Sequence, residues 1–152
     1  MQLIKYYISL MQANSNFTKS IHLCIYLNRK DRLVPSSELA ESLMTNPVVV
    51  RRLIALLKAK KIIGSVAGTK GGFFLERSAK KITLWDIYLA VRENDFFNRP
   101  KVNPDCIVSS NLAVLVHDTF SEAEQAMEEV LNERTIQNLT EELKNILAKK
   151  RA

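Results

Sequence analysis

Cysteine and histidine are nearly absent. Cys24 and Cys106 are too few for a disulfide framework, and with only His22 and His117 beside them no spacing suggests a zinc site. Long apolar runs are missing too: charge interrupts every hydrophobic stretch well before the roughly 20 residues of a membrane span. The opening MQLIKYYISLMQANSN lacks the cationic start and small-residue cleavage site of a secretory signal, so a cytoplasmic protein without membrane contact is expected. The chain has no serine, histidine and acid arrangement, no cluster of metal ligands, and no dinucleotide fingerprint with its supporting strand and helix. These absences argue against an enzyme, a resident metal and a bound cofactor. One further lack is local: from Thr45 to Leu75 there is no aspartate or glutamate.

What is present fits one domain. The 152 residues are 47% hydrophobic and 25% charged, enough to bury a real core. Phe17, Ile21, Cys24, Ile25 and Asn28 recur at helical spacing and predict a helix over about 16–29. Ser36 is a candidate N-cap for a short helix buried through Leu39, Ala40 and Leu43. Asn46 followed by Pro47 is a second helix start, proline suiting the first helical position, where a missing N–H costs nothing. The helix so started buries Val50, Leu53, Ile54 and Leu57 and turns Val48, Val49, Arg51 and Arg52 toward the other side. Two short helices joined by a three- or four-residue turn form a helix-turn-helix.

All four glycines fall within IIGSVAGTKGGFFLE, residues 62–76. Ile62 to Val66 and Phe73 to Leu75 read as a hairpin, with Gly68, Gly71 and Gly72 expected at positive φ in the tip. A hairpin behind a helix-turn-helix is a wing. Its tip carries Thr69 and Lys70, where glycine lets backbone amides approach phosphate. The acid-free stretch holds Arg51, Arg52, Lys58, Lys60, Lys61 and Lys70, matching the chain's net charge of +6. Between Asp118 and Glu142 eight acids face Arg134 alone. Such polarity points to one face that approaches a polyanion.

Beyond the wing, Thr83 and Asp86 predict a capping box for a helix with Leu84, Ile87, Tyr88 and Val91 inward and Trp85 as a core or interface anchor. Residues 92–105 read as loop. Leu112, Leu115, Val116, Thr119, Phe120, Ala123, Met127 and Val130, continuing to Leu131, mark a helix of some twenty residues whose apolar stripe calls for a second copy of itself. The expected fold class is mainly α with a small β-hairpin, divided into a winged helix-turn-helix over 14–92, a linker or effector loop over 93–108, and a dimerisation helix with a helical tail over 109–152.

The stretch SSELAESLMTNPVVVRRLIALLKAKKIIGSVAGTKGGFFLERSAKKITLWDIYLAV resembles the core of the Rrf-two (BadM-like) bacterial transcriptional regulators. The wing SVAGTKGGFFL and the helix ITLWDIYLAV carry the resemblance most specifically, which spans about 16–135. It implies a homodimer whose recognition helices enter successive major grooves of a palindromic double-stranded operator, with repression as the expected role. Members with iron-sulfur clusters carry three closely spaced cysteines before the dimer helix. Here NRPKVNPDCIVSSNL offers Cys106 alone, so no cluster is expected, and TNPVVVRR is similar to the cluster-free YwnA-like branch. Ala67 stands where many relatives have a minor-groove arginine, which shifts that contact to Thr69 and Lys70.

Carried over by position, Asn46, Pro47, Val48, Val49, Arg51 and Arg52 face outward from the helix, where arginine suits guanine and valine a thymine methyl. Thr45 and Asn46 suit phosphate, as do Ser36 or Ser37 at the preceding helix, with Thr69, Lys70 and Gly71 at the wing. Cys24 reads as core packing, with oxidant sensing, or a disulfide to Cys106, as the alternative. An unidentified small-molecule or oxidant effector is the expected signal. A protein- or RNA-interaction module on the same fold is the alternative to operator binding.

Overall fold

The computed structural model describes residues 15–92 and 101–151. Half of the expected effector loop, 93–100, therefore lies outside the described residues. The elements are α1 (Ser15–Arg29), α2 (Ser36–Ser42), α3 (Pro47–Ala59), β1 (Ile63–Val66), β2 (Gly72–Leu75), a single 3-10 turn (Ala79–Lys81), α4 (Leu84–Val91), α5 (Ile107–Asn132) and α6 (Ile136–Arg151). The fold is mainly helical with one two-stranded antiparallel hairpin, as the sequence led one to expect.

Helix α1 crosses the core and buries Ser20, Leu23, Cys24 and Leu27. Phe17, Ile21 and Ile25, expected on its inner stripe, are only half-buried against that core. The buried side is thus turned by about one residue from the predicted one. Partners approach α1 from several sides, and α6 covers part of what the sequence pattern leaves to solvent.

Helices α2 and α3 end alike. The amides of Met44 and Thr45 reach back to the carbonyls of Glu41 and Ala40 at 3.0 and 3.1 Å, and those of Lys61 and Ile62 to Lys58 and Leu57 at 2.9 and 3.0 Å. Both are Schellman closures with a left-handed residue, Met44 at φ 48° and Lys61 at φ 53°. Ile62, directly after the second closure, is fully buried and starts the path into β1. Residues Leu23, Leu39, Val50, Leu53, Leu57, Ile63 and Ile87 form the centre of the core, each at zero exposure. Truncating one such side chain to alanine typically costs about 2–5 kcal/mol.

The start of α4 is pinned twice. Thr83 Oγ1 accepts from the Asp86 amide and Asp86 Oδ2 accepts from the Thr83 amide, both at 3.1 Å, which is the expected capping box. The Leu84 amide also donates to Arg134 O and the Ile136 amide to Ile82 O, both at 2.9 Å, tying this point to the turn between α5 and α6. Ile87, Tyr88 and Val91 are buried as expected; Leu84 is half-buried, and Ala90 joins the inner side.

Helix α6 then returns along α1. Ile136 is fully buried, and Thr140 Oγ1 accepts from Asn28 Nδ2 at 2.9 Å while donating to Ile136 O at 2.7 Å. Helix α5 buries no residue completely, although it is the longest element among those described.

Candidate nucleic-acid interface

Asn46 sets the direction of α3. Its Oδ1 accepts from the Val48 amide at 2.8 Å and Pro47 occupies the first turn, so the start predicted from the sequence is the one observed. With Val50, Leu53, Ile54 and Leu57 inward, the outer side carries Val48, 61% exposed, and exposed Arg51 and Arg52. Val49 departs from expectation: it is half-buried and packs on the core, which leaves Val48 as the outward valine. Thr45 is half-buried in the turn and Asn46 exposed beside it.

The preceding helix starts differently from its prediction. Pro35, extended at φ −70° and ψ 154°, is the N-cap of α2, and no side chain caps it. Ser36 is the first helical residue, half-buried, and Ser37 is exposed. Pro35 takes the cap because the residue before it, Val34, is already fixed in an extended pairing with the wing. The Val34 amide donates to Phe73 O at 3.1 Å and the Phe73 amide to Val34 O at 2.9 Å.

In the wing, Ile63 pairs with Leu75 and Val66 with Gly72. Only Gly68 has positive φ, at 108°, and the Gly71 amide closes the turn onto Gly68 O at 3.0 Å. Gly71 and Gly72 were expected at positive φ as well, but the structure requires them for a different reason. A Cβ on Gly71 would strike the carbonyl oxygen of Val66, and one on Gly72 would meet the Val34 backbone at 2.8 Å. Thr69 and Lys70 stand exposed on the tip and Gly71 is half-buried. Lys58 Nζ donates to Ser65 Oγ, joining the end of α3 to β1. This bond gives Lys58 a local structural contact in addition to the long-range attraction that its charge alone suggests.

One polar group escaped sequence reasoning. Glu38, in the first turn of α2, accepts from Tyr26 Oη at 2.8 Å and from Arg32 Nη2 with both oxygens at 2.8 Å, and pairs with Lys30 at 3.4 Å. The Arg32 and Tyr26 hydrogen bonds, in that order, pull its carboxyl down to about 2. Lys30 also lies 4.9 Å above the Tyr26 ring, whose other neighbour, His22, bonds Ser42 Oγ at 2.6 Å. Burial holds the His22 pKa below its usual value. Tyr26 and His22 therefore clamp both ends of α2 to α1. A separation of six to twenty residues between partners follows no helical or strand period, so only the fold reveals it.

The predicted dimerisation stripe divides in two. Val116, Phe120 and Met127 are half-buried within the single chain, whereas Leu112, Leu115, Thr119, Ala123 and Val130 are exposed, Leu115 at 72%. Ile107, Val108 and Val114 add to the exposed apolar surface at 81, 61 and 79%. Of the two cysteines, Cys24 is fully buried and burial pushes its thiol up to about 12, against a smaller opposing pull from Arg77. It sits in the core, in line with the first of the two readings given for it. Cys106 precedes α5 and is half-buried.

A helix-turn-helix followed by a β-hairpin, with α3 presenting a basic face beside the wing, defines the winged-helix class. The family model for Rrf2, described as an iron-dependent transcriptional regulator, matches residues 13–142, and the chain belongs to that family. It is similar to YwnA of Bacillus subtilis (strain 168), whose name assigns it to the HTH-type transcriptional regulators, with 33% identity over 86% of this chain and 98% of that one. A crystal structure described as that of a DNA-binding protein is 32% identical, with a TM-score of 0.67 over 82% of this chain and 97% of the other. The IscR of T. potens shares the fold at 18% identity and a TM-score of 0.61, over 86% and 83% of the two chains. The family and YwnA are described as transcriptional regulators, not enzymes. No helix among the described residues is long and apolar enough to cross a membrane.

The family's iron finds no matching donors here. A thiolate-held cluster needs several ligands in one place. The chain has two cysteines, one sealed in the core, and among the described residues no three His, Cys, Asp or Glu side chains gather as a metal site would require. The two cysteines and the other described residues thus offer no donor set that fits a resident iron or cluster.

Proposed function

We propose that this chain is a cytoplasmic, homodimeric repressor that reads a palindromic operator without an iron-sulfur cluster. The observation that carries this reading is the linkage of three acid-free parts: α3 capped by Asn46, β1 tied to it through Lys58, and the wing tied to the start of α2 through Val34. Arg51 and Arg52 contact guanines, Val48 a thymine methyl, and Ser37, Thr45, Asn46 and Lys70 the phosphates. Ser36, Pro47, Val49, Thr69 and Gly71 line the same surface in supporting positions. The exposed side of α5, from Leu112 to Val130, receives the second copy, and two-fold pairing sets half-sites about one helical turn apart.

The test is binding to the gene's own upstream region, followed by fluorescence anisotropy across a salt titration. Arg51→Ala or Arg52→Ala should cost about 1–3 kcal/mol on the operator and much less on random duplex, while Lys70→Ala should weaken both and lower the salt slope by about one. Unchanged operator affinity in both arginine variants would overturn the assignment. Binding blind to sequence would favour an RNA- or protein-interaction module instead.

A further inference from the structure

Helices α4 and α5 enclose a groove of about 310 Å³, at the small end of the range for ligand pockets, roughly 300–1,000 Å³. Its α4 wall is aromatic: Trp85 stacks on Tyr88 with ring centroids 5.2 Å apart, and Leu89 extends the apolar surface. From α5, Met127 contributes a thioether and Glu124 and Glu128 contribute carboxylates. Those carboxylates are one helical turn apart, a like-charge spacing that destabilises a helix by itself. Among the described residues neither has a hydrogen bond or an ion pair. Arg92 stands at the groove as well, so acids outnumber cations two to one.

We infer that this groove binds a small organic cation carrying an aromatic ring. A π face attracts a cation, an aromatic stack gives a flat ligand its platform, and two unpaired carboxylates favour positive charge. Such a cation also relieves the repulsion between Glu124 and Glu128. Most of the groove's α5 wall faces away from the proposed dimer seam, with Met127 bordering that seam. At 3.6 residues per turn, Ser121, Gln125 and Glu128 lie on the side of α5 opposite Leu112, Thr119, Ala123 and Val130. Tyr88 continues the path inward, meeting Phe17 of α1 edge-on at 5.7 Å.

Trp85 is the chain's only tryptophan, so its fluorescence reports on this groove alone. Titration of the full chain with benzyltrimethylammonium should give a saturable change, with neutral benzyl alcohol and anionic benzenesulfonate binding at least about tenfold more weakly. The Glu124→Gln/Glu128→Gln double variant, with its thermal melting preserved, should weaken the cation about tenfold or more. No saturable change, equal binding of the neutral analogue, or undiminished binding by the double variant would each overturn the inference. None of these readouts involves DNA, so their failure leaves the operator reading standing, and failure of that reading leaves the groove to its own test.

Discussion

Cys24 is fully enclosed between α1 and the rest of the core, and its thiol titrates near 12. Because the thiolate is the nucleophile, a thiol so protected reacts very slowly at neutral pH. An aromatic disulfide reagent added to the native protein should therefore modify Cys106 and reach Cys24 only on unfolding, a difference that mass spectrometry of each peptide would detect. Native labelling of Cys24 would restore it as a sensor. Glu38 makes a second residue-level prediction. Its carboxyl titrates near 2 in the folded chain against an ordinary 4.5, so the stabilisation from its ionised form is complete above that ordinary value and is lost as pH falls toward 2. Thermal midpoints of wild type and Glu38→Gln should differ at pH 6, with the gap closing progressively below about pH 4.5 and vanishing only below about pH 2. A constant gap across that range would remove the carboxylate's ion pairs as the cause.

At the scale of single elements, the turn between α2 and α3 holds a non-glycine residue in left-handed geometry. Met44 is 95% exposed, so its side chain packs on little, while its backbone conformation costs about 1 kcal/mol. Met44→Gly should raise stability by up to about 1 kcal/mol in urea denaturation; a loss would mean that the exposed side chain makes contacts outside the single chain. The same elements mark how far local sequence chemistry reaches. Asn46-Pro47 and the Thr83–Asp86 box were legible because a cap is built from residues two or three apart. The cap of α2 was not, since Pro35 takes it only through the pairing of Val34 with Phe73, 39 positions along the chain. The roles of Gly71 and Gly72 were hidden for a similar reason: close backbone approach is visible only once Val34 and Val66 are in place. Helix α5 was legible in existence, but it runs 26 residues rather than some twenty and begins at Ile107, inside the expected linker, and one apolar stripe could not reveal that Met127 turns toward α4 while Leu115 faces outward.

At the scale of the molecule, α6 and α5 have opposite fates. Helix α6 is drawn back onto α1 through Ile136 and Thr140, which its polar, lysine-rich sequence scarcely announced. Helix α5 leaves its apolar side uncovered. Leu115→Glu should leave helicity unchanged, since the side chain is 72% exposed, and convert the protein from dimer to monomer in sedimentation velocity at micromolar concentration. A wild-type chain that sediments as a monomer would exclude the proposed pairing.

The reach of α5 has a mechanical consequence. Ile107 to Leu115 stands largely clear of the other described elements, a rod about 14 Å long at 1.5 Å per residue. If the proposed second copy grips that rod, a tilt of about ten degrees where α5 meets α4 moves the rod's end by roughly 2 Å relative to the rest of its own chain.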